Sequence, residues 1–180
     1  MRIILFIADL TCFASFGWAM LCHFRRNGRM KPGTILIAVS VPVFAAAHLA
    51  AIVARPPAHP LAALSLFAGS LTLFWSTVAA TRGRNLAACF QGQPAATVVR
   101  TGPYRLIRHP FYTAYTLTWT GGFAATGWWP AGAIAGVMAG VYYCAARQEE
   151  LDFLHSPLRE EYLLLMSATG RFLPRLCRSQ

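Results

Sequence analysis

Residues 110–146 form a run of 37 positions that contains no Asp, Glu, Lys or Arg. At about 1.5 Å of rise per helical residue, such a run is nearly twice as long as a bilayer core is thick. The chain must therefore turn back within it, and the breaker residues Gly127 and Pro130, which flank Trp128 and Trp129, predict where. A hairpin of two membrane-spanning helices is the expected structure.

Three further segments have the length of one span, which is about 20 apolar residues. Residues 33–54 and 56–81 carry no charge, and residues 3–22 carry only Asp9. A chain that is 56% hydrophobic and 12% charged is also too apolar for an ordinary soluble domain. We therefore predict an all-α polytopic membrane protein with five helices, at residues 3–24, 34–54, 60–80, 111–128 and 130–147. Asp9 inside the first apolar segment argues against a cleaved signal peptide.

The basic residues predict the orientation. They fill the loop after the first helix and the loop before residue 110, whereas the Trp128-Trp129 turn has none. By the positive-inside rule, both loops and the C-terminus are cytoplasmic and the N-terminus is outside, in a bacterial inner membrane or an equivalent one. The single membrane domain then comprises three spans (1–80), a cytoplasmic connector and motif loop (81–110), the hairpin (111–147) and cytoplasmic C-terminal helices (148–180).

Several other classes of protein do not fit the pattern. The net charge of +10 comes from arginines between spans, which argues against a nucleic-acid partner. The five cysteines form no C-x-x-C pair, so no zinc or other metal site is expected, and no G-x-G marks a Rossmann domain.

Gly132, Gly136 and Gly140 give the last span a smooth face, for which internal packing is favoured over homodimerisation. Monomer and homodimer both stay open.

The most polar part of the membrane domain directly precedes the hairpin. Residues 100–112 contain three arginines, a histidine and two tyrosines, and Pro110 suits the first turn of a helix. The N-terminus of that helix, with Arg105 and Arg108, predicts an anion site. A basic anchor that contacts lipid phosphate is the alternative. Five of the six acidic residues follow the last span, so an arginine-rich loop and an acid-rich segment can meet at one face.

The run Gly102-Pro103-Tyr104-Arg105, followed by Arg108-His109-Pro110 and Tyr112, is similar to the signature of the isoprenylcysteine carboxyl methyltransferase and phospholipid methyltransferase superfamily. Glu149-Glu150, Glu160-Glu161-Tyr162 and the Arg171 to Pro174 segment match its later blocks in type and order. The resemblance implies an integral membrane methyltransferase that uses S-adenosylmethionine. It implies that His109, Tyr112 and Glu150 are catalytic. It further implies a cofactor site made of Gly102, Pro103, Tyr104, Arg105, Arg108, His109, Tyr112, Glu149, Glu150, Tyr162 and Arg171, with the choice between Glu149 and Glu150 left open.

The expected acceptor is a lipophilic small molecule or a lipid-like one, which reaches the cytoplasmic face from the bilayer. Because Asp9 is the only acid in the spans, a carboxylate, thiol or weakly acidic acceptor is favoured over an amine headgroup. An NADPH-dependent membrane reductase of the sterol-reductase type and a non-enzymatic scaffold that binds anionic lipid are the alternatives.

Asp9 is interpreted as either functional or hydrated near the outer end of its span, and His48 as a packed or interfacial histidine.

Overall fold

The computed structural model describes residues 1–23, 32–83 and 97–175, and within 32–38 it describes the backbone alone. Residues 24–31, which hold the basic loop after the first helix, residues 84–96 of the predicted connector and motif loop, and the last five residues lie outside this part. The described residues form six α-helices and contain no β-strand, which confirms the all-α prediction. The helices are α1 (Arg2–Cys22), α2 (Pro32–Ala54), α3 (Pro60–Ala80), α4 (Pro110–Thr126), α5 (Trp129–Leu154) and α6 (Arg159–Ala168), with a 3-10 helix at Gly102–Arg105.

Prolines and one glycine set the ends of the hairpin helices. Pro110 is the first residue of α4 and Pro130 the second residue of α5, and in the first turn of a helix the missing N–H costs nothing. Gly127 ends α4 with a left-handed φ of 59°, and its N–H donates to the Phe123 carbonyl at 2.8 Å. The predicted turn between the two helices is confirmed.

The end of the hairpin differs from the prediction. We expected a span that ends at residue 147 and cytoplasmic helices from residue 148 onward, but α5 continues to Leu154, and among the described residues only α6 follows it. Arg147, Gln148, Glu149 and Glu150 are all good helix formers, so the loss of hydrophobicity does not end the helix. Residues 148–154 therefore belong to the hairpin, and the two glutamates stand on its long helix.

Three helices, α1, α3 and α5, are long and apolar enough to cross a membrane. The side chains of α2 are described only from Val39 onward, and its stretch Val39–Ala54 is also apolar. Helix α4 has 17 residues. Large apolar side chains such as Ile3, Leu21, Leu61 and Trp129 are more than half exposed, as expected for surfaces that face lipid. The protein is thus an integral membrane protein, while the five-span topology stays a prediction.

Helix α4 lies at the centre of the bundle, where it packs against α1, α2, α3 and α5. Its Trp119 is 1% exposed, and its Gly121 lies directly against the Phe67 ring. The glycine face of α5 packs only in part against the rest of the described residues: a Cβ on Gly132 would meet the Phe123 ring, whereas one on Gly136 or Gly140 would meet none of them within 4 Å. Internal packing therefore explains Gly132 and not the other two.

Candidate active site

The buried carboxylate of Glu150, on α5, contacts the side chains of Arg108, His109 and Arg171. Arg108 Nε donates to Glu150 Oε1 at 2.9 Å, and Arg171 Nη2 donates to Oε2 at 2.6 Å. The Nε2 atom of His109 lies 3.2 Å from Oε1. The Glu150 side chain is only 4% exposed, so these charge-assisted contacts offset the cost of removing the carboxylate from water. Glu150 therefore ties together the start of α4, the end of α5 and the segment after α6.

Glu149 has a different environment, although it is the neighbour of Glu150 in sequence. The Tyr112 hydroxyl donates to its Oε1, and its Oε2 lies 3.6 Å from His109 Nδ1. Its side chain is 37% exposed. The imidazole of His109 thus stands between two carboxylates, one buried and ion-paired and one open to the surroundings.

The charge of His109 follows from these neighbours. Burial disfavours an imidazolium, but hydrogen bonds and charges of Glu149 and Glu150 outweigh burial and raise the pKa of His109 above its ordinary value of 6.5. His109 immediately precedes the first residue of α4, outside the apolar part of the helix. The folded protein therefore favours a positively charged His109.

The backbone after α6 lies alongside the backbone before α4 and fixes the site. Arg108 N donates to the Gly170 carbonyl at 2.9 Å, His109 N donates to that of Arg171 at 3.1 Å, and Gly170 N donates to that of Leu106 at 3.2 Å. A Cβ on Gly170 would lie 1.7 Å from the Leu173 carbonyl oxygen, so this close approach requires glycine. The paired segments carry Arg108 and Arg171 to opposite sides of Glu150.

Aromatic rings line the cluster that Arg108, His109, Tyr112, Glu149, Glu150 and Arg171 form. The His109 and Tyr112 rings are stacked with centroids 5.6 Å apart, and Tyr112 stacks in turn on Tyr142 at 5.6 Å. Phe172 lies 5.9 Å from His109, and the Arg171 guanidinium lies over the Tyr143 ring at 5.1 Å. Tyr142, Tyr143 and Phe172 are not among the predicted site residues. The sequence does indicate the two tyrosines, because Tyr142 and Tyr143 precede Glu149 and Glu150 by two helical turns and lie on the same face of the helix.

A family model for phospholipid methyltransferases matches residues 58–160, which is more than half of the chain. The chain belongs to the phospholipid methyltransferase family. No curated protein and no solved structure matches it. Membership indicates a membrane methyltransferase, and it supports neither the reductase nor the scaffold that the sequence alone left open.

The part of the chain shared with the phospholipid methyltransferase family contains α3, the 3-10 helix, α4 and α5, and hence every member of the cluster except Arg171. Of the remaining residues predicted for the site, Gly102 and Pro103 begin the 3-10 helix, where Gly102 has a φ of 57° and lies against Ala80. Tyr104 is half-buried and Arg105 is exposed. These four residues precede the cluster in the chain, and Arg105 is exposed while Arg108 binds Glu150. The anion site of Arg105 and Arg108 stays a prediction.

Tyr162 lies in the layer behind the cluster. It is 3% exposed and stacks on the Phe153 ring at 4.3 Å. Burial, and then the charge of Glu150, raise the pKa of Tyr162. Its place is that of a packing residue that supports α5 and α6, and the described site is built from Arg108, His109, Tyr112, Glu149, Glu150 and Arg171.

Proposed function

We propose that the chain is an S-adenosylmethionine-dependent methyltransferase that binds its cofactor at the Glu149 and Glu150 cluster and methylates a lipid acceptor. The observation that carries the proposal is an accessible carboxylate and an accessible guanidinium that border the same His109–Glu150 pair. The Glu149 side chain, next to His109, is 37% exposed, and that of Arg171, paired with Glu150, is 29% exposed. The family indicates methyl transfer, and the cofactor's amino-acid part needs both an anion and a cation.

The side chains present fit each part of this cofactor. Glu149 is suited to the ammonium group, and the Arg171 guanidinium is suited to the carboxylate. Phe172 and the half-exposed Tyr143 offer apolar rings for the adenosine. Glu150 already holds two guanidinium groups, so its part is to keep Arg171 and Arg108 in place rather than to bind a ligand. We therefore propose Glu149 rather than Glu150 as the cofactor ligand.

S-adenosylmethionine supplies a methyl group on a sulfonium, which already is activated for in-line displacement. The protein then has to align the acceptor and exclude water. The ion-paired Glu150 holds the surrounding side chains in a fixed arrangement, and the stacked rings of His109, Tyr112 and Tyr142 form an aromatic wall. A lipid acceptor reaches such a site from the bilayer. We place the site at the cytoplasmic face because the arginine-rich loop before α4 adjoins it, and basic loops lie on the cytoplasmic side.

Calorimetric titration of the detergent-purified protein with S-adenosylhomocysteine tests the cofactor assignment. The wild type should bind, and Glu149→Gln and Arg171→Gln should each weaken binding about tenfold, the effect of losing one hydrogen bond to a charged group. Glu160→Gln, an exposed change on α6, should bind as the wild type does. NADPH should give no heat of binding. Absence of binding by the wild type at millimolar S-adenosylhomocysteine would rule out the proposal.

A further inference from the structure

Two ionisable side chains meet inside the bundle, away from the candidate active site. The Nδ1 atom of His48 on α2 lies 3.5 Å from Oδ2 of Asp9 on α1, and neither side chain has any exposed surface. The sequence left a hydrated Asp9 open, and its complete burial corrects that interpretation. An acid inside a membrane-spanning helix is costly, so its presence calls for a role.

The surroundings of His48 form a slot that fits the imidazole. A Cβ on Gly122 of α4 would lie 1.8 Å from His48 Cε1, so the ring occupies space that any other residue at 122 would fill. The Trp119 ring is 5.3 Å from the imidazole, and the Phe13 ring is 6.3 Å from it. Asp9 therefore lies on one side of the His48 ring, and Gly122 of α4 packs against the other side.

An unbroken series of contacts leads from this slot to the candidate active site. The Trp119 Nε1–H donates to the Tyr142 hydroxyl at 3.1 Å. The Tyr142 ring is nearly parallel to the Tyr112 ring, with 9° between the planes, and the Tyr112 hydroxyl donates to Glu149. Trp119, Tyr142 and Tyr112 are all less than 7% exposed. Rings packed this closely transmit a displacement to their neighbours, because no void is available to absorb it.

We propose that Asp9 and His48 are positioning residues for the cofactor site. Asp9 orients His48, His48 fixes the indole of Trp119, and the indole N–H fixes Tyr142 and through it the Tyr112 hydroxyl that holds Glu149. The inference rests on the proposed function, in which Glu149 binds the ammonium group of the cofactor. It gives the outer part of the bundle a role in cofactor affinity.

Replacement of both partners separates positioning from simple stability. In Asp9→Leu/His48→Leu no buried polar group loses its partner, so the protein should remain as stable as the wild type. Its Kd for S-adenosylhomocysteine should nevertheless rise about fivefold, a size typical of residues that act on a site without touching the ligand. Asp9→Asn keeps a polar side chain of the same shape beside His48, and its Kd should stay within about twofold of the wild-type value.

Ser70→Ala is the matched control. Ser70 is fully buried and joins α3 to α4 through the Ala114 carbonyl and the Thr118 hydroxyl, both at 2.8 Å, but it takes no part in the series of rings. Its loss removes interhelical hydrogen bonds without moving Trp119. The thermal unfolding temperature should fall, and the Kd for S-adenosylhomocysteine should stay that of the wild type.

A double-mutant cycle tests the route. Tyr142→Phe removes the hydroxyl that accepts from Trp119, so it should weaken S-adenosylhomocysteine binding by itself, and adding the leucine pair should then weaken it no further. Additive effects would overturn the route, and a leucine pair with wild-type affinity would overturn the inference while leaving the proposed function intact. A wild type that does not bind S-adenosylhomocysteine would overturn both.

Discussion

At the scale of single residues, Glu150 is the side chain on which the site depends most. Glu150→Gln keeps the shape but removes the charge that faces Arg108 and Arg171. Loss of one partner from a buried ion pair costs about 3 kcal/mol, so the thermal unfolding temperature should fall clearly and S-adenosylhomocysteine binding should be lost. Differential scanning fluorimetry and calorimetric titration measure the two effects. An unfolding temperature equal to that of Glu160→Gln would show that the ion pairs of Glu150 with Arg108 and Arg171 contribute nothing to stability.

His109 predicts a dependence of stability on pH. Because Glu149 and Glu150 raise its pKa, the folded protein favours the charged imidazole, and this contribution is fully present below the ordinary pKa of 6.5. It is lost as the pH rises through the raised pKa. The unfolding temperature of the wild type should therefore fall relative to that of His109→Gln as the pH rises above 6.5. Curves that stay parallel over the whole range would contradict a raised pKa for His109.

At the scale of elements, the segment after α6 is a structural part of the site. Gly170 accepts from Arg108 N and donates to the Leu106 carbonyl, and it has no room for a side chain. Gly170→Ala should displace residues 169–172, move Arg171 away from Glu150 and weaken S-adenosylhomocysteine binding about tenfold, which is the loss of one charged contact. Ala168→Gly, at the exposed end of α6, is the control. Equal affinity of both variants would show that the segment does not position Arg171.

The elements themselves follow from local sequence. Prolines at the starts of α3, α4 and α5 and Gly127 at the end of α4 mark the boundaries, and each has a local physical reason. The end of α5 was predicted wrongly because hydrophobicity was taken to mark the end of the helix. Charged residues with high helix propensity prolong α5 past the apolar part, and this extension is what carries Glu149 and Glu150 to His109.

At the scale of the whole molecule, the sequence predicted that an arginine-rich loop meets an acid-rich C-terminal segment, and the contact of Arg108 with Glu150 confirms it. Charge and topology sufficed for that prediction. They did not reveal that Asp9 and His48 meet, nor that Glu150 is buried while Glu149 is open. Both depend on how helices rotate about their axes when they pack, and mixed apolar faces on α1 and α2 leave that rotation undetermined in the sequence.

The central claim is that this membrane protein transfers a methyl group from S-adenosylmethionine to a lipid. The most direct measurement incubates the purified protein with total lipid extract and S-adenosylmethionine labelled in its methyl group, and then identifies labelled lipids by mass spectrometry. We expect a labelled lipid product with the wild type and with Glu160→Gln, less product with Glu149→Gln at subsaturating cofactor, and none with Glu150→Gln. A phosphatidylethanolamine derivative as the main product would contradict the preference for an acidic acceptor. Absence of any labelled lipid with a wild type that binds S-adenosylhomocysteine would contradict the claim itself.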